Sequence, residues 1–390
     1  MTSPPAIALT LIAAAALAAW IYLLAFRGLF WLARETDEAD TPPEPAAWPA
    51  VVAVVPARNE ADVVARSVGS LLAQDYPGDF KVILMDDASD DGTADAARAA
   101  AALGKTDRLE VITGAPLPAG WTGKLWAVSQ GVAKAQETAP TYVLLTDADI
   151  AHTPDNLRAL VSRAEAGRLV LVSLMAKLCV ETWPERLLIP AFVFFFEMLY
   201  PFAWVNTPGS KTAAAAGGCM LARRDALAAA GGIEAIRTAI IDDCALAATL
   251  AKQGPIWLGL TDRARSLRPY RSLGEIGRMV SRSAYAQLNY SPWLLAGTLI
   301  GMALVYLAAP LLTLFADGLP RWLGLAAWTA MAISFQPMLN FYRRSPLWGF
   351  ALPLIGALYS AFTVQSALQV WRGRGGMWKG RAQAMAGGAP

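Results

Sequence analysis

The sequence predicts a mixed α/β domain joined to membrane-spanning helices. From residue 50 to about residue 168, short apolar runs alternate with stretches of helical periodicity, a pattern typical of βαβ units and a mostly parallel sheet. Hydrophobic residues make up 55% of the 390 residues and charged residues only 16%, which is outside the range of soluble globular proteins. Long apolar stretches near both ends of the chain account for this composition.

Charge and rare residue types exclude several functional classes. Lysine plus arginine (33) nearly balance aspartate plus glutamate (31), so the chain has no general basic field and we expect no nucleic-acid partner. The three cysteines have no Cys-x-x-Cys spacing, so neither a zinc site nor a disulfide framework is predicted. Because His152 is the only histidine, carboxylates are the candidates for proton transfer.

Residues 1–34 are predicted to form an N-terminal membrane anchor. The stretch from Ala6 to Phe26 is almost wholly apolar, is long enough to cross a bilayer and has no basic segment before it. Arginines follow it, so the tendency of basic residues to stay inside predicts a cytoplasmic location for the next segment. Residues 35–49 are acidic and proline-rich without periodicity, which predicts a linker before a soluble domain at 50–290.

Three further stretches within residues 291–371 are predicted to be transmembrane helices, which leaves a basic tail at residues 372–390. The stretches cover residues 293–315, 322–339 and 347–370. Residues 187–205 are also apolar, but they contain two prolines and a glutamate, which favours a helix lying in the membrane interface.

Four crossings conflict with the distribution of basic residues. If the soluble domain is cytoplasmic, four crossings place the C-terminal tail outside, although the tail carries Arg372, Arg374, Lys379 and Arg381. Either the tail is an exception to the positive-inside tendency, or one of the apolar stretches does not fully cross the membrane.

Acidic pairs follow two of the predicted buried strands. Asp147 and Asp149 come directly after the apolar run Tyr142–Leu145, and Asp86 and Asp87 follow another such run. Ligands of parallel sheets bind at the carboxyl ends of the strands. Mg²⁺ or Mn²⁺ takes oxygen ligands from one or two carboxylates plus substrate phosphates, so we expect a divalent metal and a phosphorylated substrate here.

Three motifs, in this order, resemble those of the family 2 glycosyltransferases of the GT-A fold: Val54–Glu60, Met85–Thr93 and Thr146–Asp149. The resemblance covers roughly residues 48–290 and implies an inverting transfer from a nucleotide sugar, usually a UDP-sugar. With the stretch Leu117–Lys124 and the C-terminal apolar segments, the whole chain is similar to the hopanoid-biosynthesis-associated glycosyltransferases. The predicted spans and the apolar stretch at 187–205 predict a lipid acceptor, and this narrower resemblance makes a hopanoid the candidate.

The resemblance also implies roles for individual residues. Asp243 corresponds to the catalytic base, which removes a proton from the acceptor hydroxyl, and Asp242 beside it corresponds to a supporting acid. The implied donor-binding residues are Pro56, Arg58, Asn59, Glu60, Asp86, Asp87, Lys124 and Asp147, and the implied metal-binding residues are Asp149, as the direct ligand, and Asp147.

Several of these residues also have a purely structural interpretation. Arg58 stands where the family often has an aromatic residue, although a guanidinium can also stack on a base. Asn59 could instead cap a helix, and Lys124 could be an ordinary solvated lysine. Asp242 and Asp243 also suit a helix N-terminus, where the helix dipole favours acidic residues.

Two further features of the sequence each allow two interpretations. His152 is either an additional metal ligand or, as we prefer, a histidine in a loop near a helix start. The amphipathic stretch at 273–289 lacks the Gln-x-x-Arg-Trp signature of processive family members, so we do not expect polymer synthesis. This stretch could dock on the membrane surface or cap the active site.

These features together predict a multi-pass enzyme of a bacterial-type inner membrane, with its catalytic domain in the cytoplasm. It would move a sugar from a nucleotide-sugar donor to a lipid hydroxyl. One alternative is transfer to polyprenyl phosphate, an acceptor that is already an anion and needs no base. A second alternative is a membrane protein that binds nucleotide sugars without turnover. A transporter is disfavoured because the predicted spans contain almost no charges.

Overall fold

The structure is a computed structural model that describes residues 4–102, 106–378 and 381–382. The described residues form two compact units. The α/β unit comprises residues 35–179 and 204–269 and the described residues from 376 onward. The helical unit comprises the described residues up to 34, together with residues 180–203 and 270–375. Of the predicted basic tail, residues 379–380 and 383–390 lie outside the described residues.

The α/β unit is built on one mixed sheet. Its strands are β1 (Val51–Ala57), β2 (Phe80–Asp86), β3 (Leu109–Thr113), β4 (Tyr142–Thr146), β5 (Ile150–His152), β6 (Leu171–Lys177), β7 (Cys219–Arg223) and β8 (Ile256–Ser266), and a separate pair consists of β9 (Met377–Trp378) and β10 (Arg381–Ala382). The spatial order in the large sheet is β3-β2-β1-β4-β7-β6-β8-β5. β1 pairs in parallel with β2 and β4, whereas β7 is antiparallel to β4 and β6. The predicted α/β class is confirmed.

Helices cover both faces of this sheet or build the helical unit. In chain order they are α1 (Pro4–Phe26), α2 (Val64–Leu72), α3 (Thr93–Ala102), α4 (Gly123–Gln136), α5 (Asn156–Gly167), α6 (Trp183–Leu199), α7 (Phe202–Val205), α8 (Arg224–Ala229), α9 (Asp242–Leu250), α10 (Leu273–Ser281), α11 (Pro292–Met302), α12 (Ala309–Phe315), α13 (Leu319–Ser334), α14 (Gln336–Phe341) and α15 (Leu352–Trp371). A π-helical stretch joins α11 to α12.

The register of the parallel strands brings their carboxyl ends to one edge of the sheet. Val51 at the start of β1 pairs with both Phe80 of β2 and Tyr142 of β4. At the other end of β1, Ala57 pairs with Asp86. The strands are buried almost throughout, and the acidic residues at their ends lie at the edge where parallel sheets bind ligands.

Helix α4 packs closely against the sheet at Gly131. A β-carbon at this position would lie 2.9 Å from Cγ of Met85 and closer still to the side chain of Val54. Real β-carbons are not found so close to a neighbouring atom, so a side chain here would push the helix away from the sheet. Lys124 lies in the first turn of the same helix, and its position therefore depends on this close packing.

The segment predicted as a free linker, residues 35–49, is part of the α/β unit. Asp37 is buried, accepts a hydrogen bond from Oγ1 of Thr261 at 2.7 Å and pairs with Arg263 at 2.9 Å. Asp40 pairs with Arg163. The acidic residues that predicted a solvated linker instead bind arginines of the folded domain, and those arginines are more than 100 positions away in sequence.

Three helical segments of the described residues are long and apolar enough to cross a membrane: Pro4–Phe26, Pro292–Phe315 and Pro346–Trp371. The predicted span at 322–339 differs, because α13 ends at Ser334 after 16 residues. Pro337 follows in the first turn of α14. A proline nitrogen has no hydrogen to donate, so the helix cannot continue through this position with its usual bonds. One of the four predicted crossings is therefore not a continuous spanning helix.

The C-terminal end of α15 lies beside the segment that precedes α11. The Oγ atom of Ser366 accepts a hydrogen bond from the backbone N–H of Tyr285 at 3.0 Å and donates one to the carbonyl of Ser281. Ala367 packs in one cluster with Leu295 of α11. α11 and α15 therefore run antiparallel, and the C-terminal tail begins at the end of the helical unit where α11 begins.

The apolar stretch at 187–205 does not form one continuous helix. α6 ends at Leu199, and the short helix α7 follows. Within the helical unit, Phe194 of α6 packs against Phe30 and Phe335. Neighbouring helices thus bury much of the apolar face of α6. The location of this stretch in the membrane interface stays a prediction.

Candidate active site

Asp147 and Asp149 follow β4, as predicted, and the turn that carries them is well supported. Thr146 at the end of β4 donates a hydrogen bond from Oγ1 to the carbonyl of Gly218 at 2.7 Å. The carbonyl of Asp149 accepts a bond from the backbone N–H of Leu267 at 2.7 Å. Both carboxylates keep part of their surface accessible to solvent, 33% for Asp147 and 20% for Asp149, so ligands can reach them.

Lys124 links the predicted metal-binding motif to the predicted catalytic acids. Its Nζ atom lies 2.9 Å from Oδ1 of Asp147 and 3.1 Å from Oδ2 of Asp242. The side chain of Thr122 caps the N-terminus of α4 by accepting from the N–H of Leu125, which places Lys124 in the first turn of the helix. The solvated-lysine interpretation is therefore wrong, because the Lys124 side chain is only 17% exposed and its ammonium group binds carboxylates on two sides.

Asp243 is held by two backbone donors. Its Oδ2 atom accepts a hydrogen bond from the N–H of Gly217 at 3.0 Å, and Oδ1 accepts one from the N–H of Cys244 at 2.7 Å. Burial, followed by the negative charge of Asp242, raises the pKa of Asp243 to about 6, although Lys124 opposes this shift. A carboxylate with a pKa near neutrality is well matched to removing a proton from a hydroxyl group.

The sequence reasoning missed Arg268, which contacts two of the predicted site residues. Its Nε atom lies 2.9 Å from Oδ2 of Asp149, and its Nη2 atom contacts Oε2 of Glu60. Burial alone would lower the pKa of Arg268, but the two carboxylates more than offset it and raise the pKa. Arg268 follows β8, whose second half already carries Asp262, Arg263 and Arg265, so the sequence does not distinguish Arg268 from the basic residues before it.

The two predicted donor-binding loops are hydrogen-bonded to each other. The backbone N–H of Asn59 donates to Oγ of Ser89 at 3.0 Å, and its side-chain oxygen accepts from the N–H of Asp90 at 3.1 Å. The N–H of Glu60 donates to Oγ1 of Thr93 at 2.8 Å. The loops therefore form one preorganised surface. Asn59 adopts a positive φ of 52° and lies outside α2, so it does not cap that helix.

The remaining donor-binding candidates lie around these loops. Arg58 pairs with Asp87 at 3.6 Å, and its guanidinium also contacts the carbonyl of Asp87. Oδ1 of Asp86 accepts a bond from the N–H of Ser89 at 3.1 Å, so this carboxylate stabilises its own loop. Pro56 is buried within β1. Arg58 thus neutralises the charge of Asp87, one of the two acids to which the family resemblance assigns nucleoside binding.

His152 belongs to β5 and not to a loop, so the preferred sequence interpretation is wrong. Its ring nitrogens are within hydrogen-bond distance of Oγ1 of Thr146, at 3.0 Å, and Nδ2 of Asn156, at 2.9 Å. Burial lowers the pKa of His152 to about 4, so the ring is neutral at physiological pH. Because both nitrogens have protein partners, His152 supports the end of β4 and is poorly suited to bind a metal.

The side chains at this edge of the sheet supply only part of the oxygen ligands that a divalent cation needs. Among the described residues, no group of three or more histidine, cysteine, aspartate or glutamate side chains is arranged to hold a metal ion. Asp147 and Asp149 supply hard oxygen ligands, and phosphate oxygens of a substrate would have to complete the coordination. Four carboxylates, on Glu60, Asp147, Asp149 and Asp242, lie within ion-pair distance of Lys124 or Arg268, and four negative charges beside two positive ones suit a dication.

Comparisons with known proteins agree with this geometry. Residues 52–231 match the model of glycosyl transferase family 2. The fold is similar to that of the mannosyltransferase PcManGT from Pyrobaculum calidifontis in complex with GDP-Man and Mn²⁺, with a TM-score of 0.56 and 21% identity over 93% of this chain and 99% of that chain. No curated protein sequence matches the chain.

Two other solved structures are more distant. Glucosyl-3-phosphoglycerate synthase from Mycobacterium tuberculosis, in complex with Mg²⁺ and uridine diphosphate, has a TM-score of 0.42 and 20% identity over 64% of this chain and 86% of that chain. TarS from S. aureus, in complex with UDP-GlcNAc, has a TM-score of 0.38 and 14% identity over 83% of this chain and 92% of that chain.

Proposed function

We propose that this chain is a membrane-bound inverting glycosyltransferase that glycosylates a lipid, and the match of residues 52–231 to the model of glycosyl transferase family 2 supports this proposal. The donor is a nucleotide sugar, and the acceptor is a lipid hydroxyl. The observation that carries this proposal is the position of Lys124 between Asp147 and Asp242, because one ammonium group then joins the donor side of the site to the acceptor side.

The donor side accounts for binding of a nucleotide diphosphate. The joined loops that contain Asn59 and Ser89 offer a fixed surface for the nucleoside, with Arg58 and Asp87 at its edge. Asp149 and Asp147 would hold a divalent Mg²⁺ or Mn²⁺ ion together with the donor phosphates. When bound, such an ion neutralises the negative charge that develops on the leaving diphosphate.

The acceptor side accounts for the proton transfer. Asp243 accepts the proton of the acceptor hydroxyl as that oxygen forms a bond to the anomeric carbon of the sugar. The bond between the anomeric carbon and the diphosphate oxygen breaks on the opposite face, so the anomeric configuration inverts. Hydrogen bonds from Gly217 and Cys244 fix the orientation of the Asp243 carboxylate before the acceptor binds.

The helical unit supports a membrane location. With three crossings, the segment after α1 and the C-terminal tail are on the same side of the membrane. Arg27, Arg34, Arg372 and Arg374 then all face that side, which the positive-inside tendency identifies as the cytoplasm. This arrangement puts the start of the basic tail on the cytoplasmic side, because α13 is too short to count as a crossing of its own, but it puts Arg321, Arg343 and Arg344 on the opposite side.

A lipid acceptor follows from this location, since a hydroxyl at the membrane surface would be within reach of a membrane-anchored enzyme. The full-length resemblance to hopanoid-biosynthesis-associated enzymes makes a hopanoid the candidate acceptor, within a bacterial-type inner membrane. The family more often uses UDP-sugars, whereas the solved mannosyltransferase was bound to GDP-Man. UDP-sugars and GDP-Man are therefore the donors to test first.

The proposal is tested with membranes that contain the full-length protein. Radiolabelled UDP-glucose, UDP-N-acetylglucosamine and GDP-mannose are supplied separately with Mn²⁺, and lipids are then extracted. We expect label in a lipid fraction from wild-type membranes and none from membranes with Asp149→Ala. Label that enters only water-soluble products would contradict a lipid acceptor. Label that enters polyprenyl phosphate, unaffected by Asp243→Asn, would favour the phosphate acceptor instead.

A further inference from the structure

Arg268 forms an ion pair with Asp149, the carboxylate that a bound metal would need as a ligand. We propose that Arg268 is an internal counter-ion that competes with the divalent metal for Asp149, so that metal and nucleotide bind cooperatively. This inference rests on the proposed function, because it assumes that the site takes a metal together with a nucleotide diphosphate. It assigns Arg268 a positioning role that controls the order and strength of binding.

The geometry gives Arg268 two alternative partners. Its Nε atom lies 2.9 Å from Oδ2 of Asp149, and a different nitrogen, Nη2, contacts Glu60. Because separate nitrogens make the two contacts, the guanidinium can leave Asp149 while it stays bound to Glu60. Glu60 is itself anchored, since its backbone N–H donates to Oγ1 of Thr93. Release of Asp149 therefore needs no movement of the donor loop.

The charges explain why release would depend on nucleotide. A carboxylate oxygen that accepts a charge-assisted bond from a guanidinium is a weaker ligand for a dication, so metal binding without nucleotide must first break that bond. A nucleotide diphosphate offers Arg268 a replacement, because guanidinium groups bind phosphate oxygens in a matched geometry. Each ligand thereby lowers the cost of binding the other, which is positive coupling between two ligands.

Lys124 does not provide the same control. It lies between Asp147 and Asp242, so it retains a carboxylate partner on the acceptor side whichever ligand binds. For Asp149, by contrast, the cation within ion-pair distance among the described residues is Arg268. The competition should therefore appear at Asp149 and depend on Arg268.

The test measures Mn²⁺ binding to the full-length protein in detergent by isothermal titration calorimetry, with and without UDP or GDP. For Arg268→Gln without nucleotide, we expect Mn²⁺ to bind about tenfold more tightly than to wild type, the usual scale of coupling between two sites. The enhancement of Mn²⁺ binding by nucleotide should shrink in the same variant. The control is Arg265→Gln, which removes an exposed arginine that pairs with Asp262 three residues earlier.

The outcomes separate this inference from the proposed function. Tighter Mn²⁺ binding by Arg268→Gln, with none for Arg265→Gln, supports the inference even if sugar transfer is not detected. Equal Mn²⁺ affinities of wild type and Arg268→Gln overturn the inference even if sugar transfer is normal. An equal gain in Mn²⁺ affinity in Arg268→Gln and Arg265→Gln overturns it as well. If Arg268→Gln does not fold, the Mn²⁺ affinity of Arg268→Lys tests the inference instead. Lysine has no planar fork of nitrogens with which to bind Asp149 and Glu60 at once. That variant should bind Mn²⁺ more tightly than wild type, and unchanged affinity would overturn the inference.

Discussion

Lys124 and Asp242 form an ion pair at 3.1 Å that lies directly beside the proposed base, Asp243. Since Lys124 also binds Asp147, one cation contacts a predicted donor-binding carboxylate and lowers the pKa of the proposed base. Under the proposed function, binding of the donor and activation of the acceptor are electrostatically linked through this one side chain.

Replacing Lys124 by methionine should impair both functions. We expect kcat/KM for the donor to fall by about 10- to 100-fold, the range for losing a hydrogen bond to a charged group. Because Lys124 lowers the pKa of Asp243, its removal should also move the acidic limb of the pH profile to higher pH. Lys134→Met on the same helix, where the lysine pairs with Glu137 at the surface, is the matched control. A pH profile that does not move would refute the electrostatic link.

The activity of the wild-type enzyme should depend on the ionisation of Asp243. The base must be a carboxylate, so kcat/KM should rise about tenfold per pH unit below pH 6 and level off above it, following the pKa of about 6. Initial rates between pH 4.5 and 8.5, with saturating Mn²⁺, would measure this. A rate that stays constant across pH 5 to 7 would exclude Asp243 as the group that limits activity.

Replacing Asp243 by asparagine should lower the rate by about 10²- to 10⁴-fold, the contribution of a positioned general base. The variant should also change how stability depends on pH. The folded protein raises the pKa of Asp243 above the ordinary value of 3.8, so its stabilising effect exists at low pH and is lost as the pH rises through about 6.

Thermal unfolding would detect this second effect. The melting temperature of Asp243→Asn, relative to wild type, should be higher at pH 8 than at pH 5. Comparing the two proteins at each pH cancels any constant cost of the substitution. A difference that shrinks toward pH 8 would mean that Asp243 is not buried as the structure describes.

Replacing Asp149 by alanine should abolish sugar transfer while the protein still accumulates in membranes. Asp149 lies at the surface of the cleft, and its loss leaves Arg268 with Glu60 as a partner, so we expect little effect on folding. Asp95→Ala, which removes a carboxylate that is 88% exposed, serves as the control and should retain full activity. Near-normal transfer by Asp149→Ala would refute its assignment as a metal ligand.

Replacing Gly131 by alanine should destabilise the protein, because the new β-carbon would collide with Val54 and Met85. Overpacking of this kind costs about 1–3 kcal/mol. Since α4 also carries Lys124, donor binding should weaken at the same time. Gly69→Ala in α2 is the control: no atom lies within 4 Å of its added carbon, so this variant should be as stable as wild type or slightly more stable. Equal melting temperatures for both variants would contradict the packing argument.

The fold class, and the motifs that match the family model over residues 52–231, were predictable because their signals are local. Alternating strands and helices, and acidic pairs at strand ends, lie within short stretches of sequence, and the register of β1 with β2 and β4 then brings those ends together. The helical segments that could span a membrane were visible for the same reason, with one exception. At 322–339 the composition is apolar throughout, but Pro337 divides the segment.

Arg268 could not be predicted because its role depends on contacts between distant residues. It lies 119 positions from Asp149 and 208 from Glu60, and no periodicity connects them. The pairing of β8 with β5 is what carries Arg268 to the site. The same applies to Asp37, which local composition assigned to a linker but which binds Thr261 across 224 positions.

The sequence by itself determined which chemical groups this protein has: carboxylates at strand ends, a lysine at a helix start and apolar segments long enough for a membrane. Only the tertiary structure decided which of these groups are charged partners of one another. Ion pairs such as Lys124 with Asp147 and Arg268 with Asp149 depend on distances of about 3 Å between segments far apart in the chain. Such distances are fixed by sheet register and close helix packing, which form only when the whole domain folds.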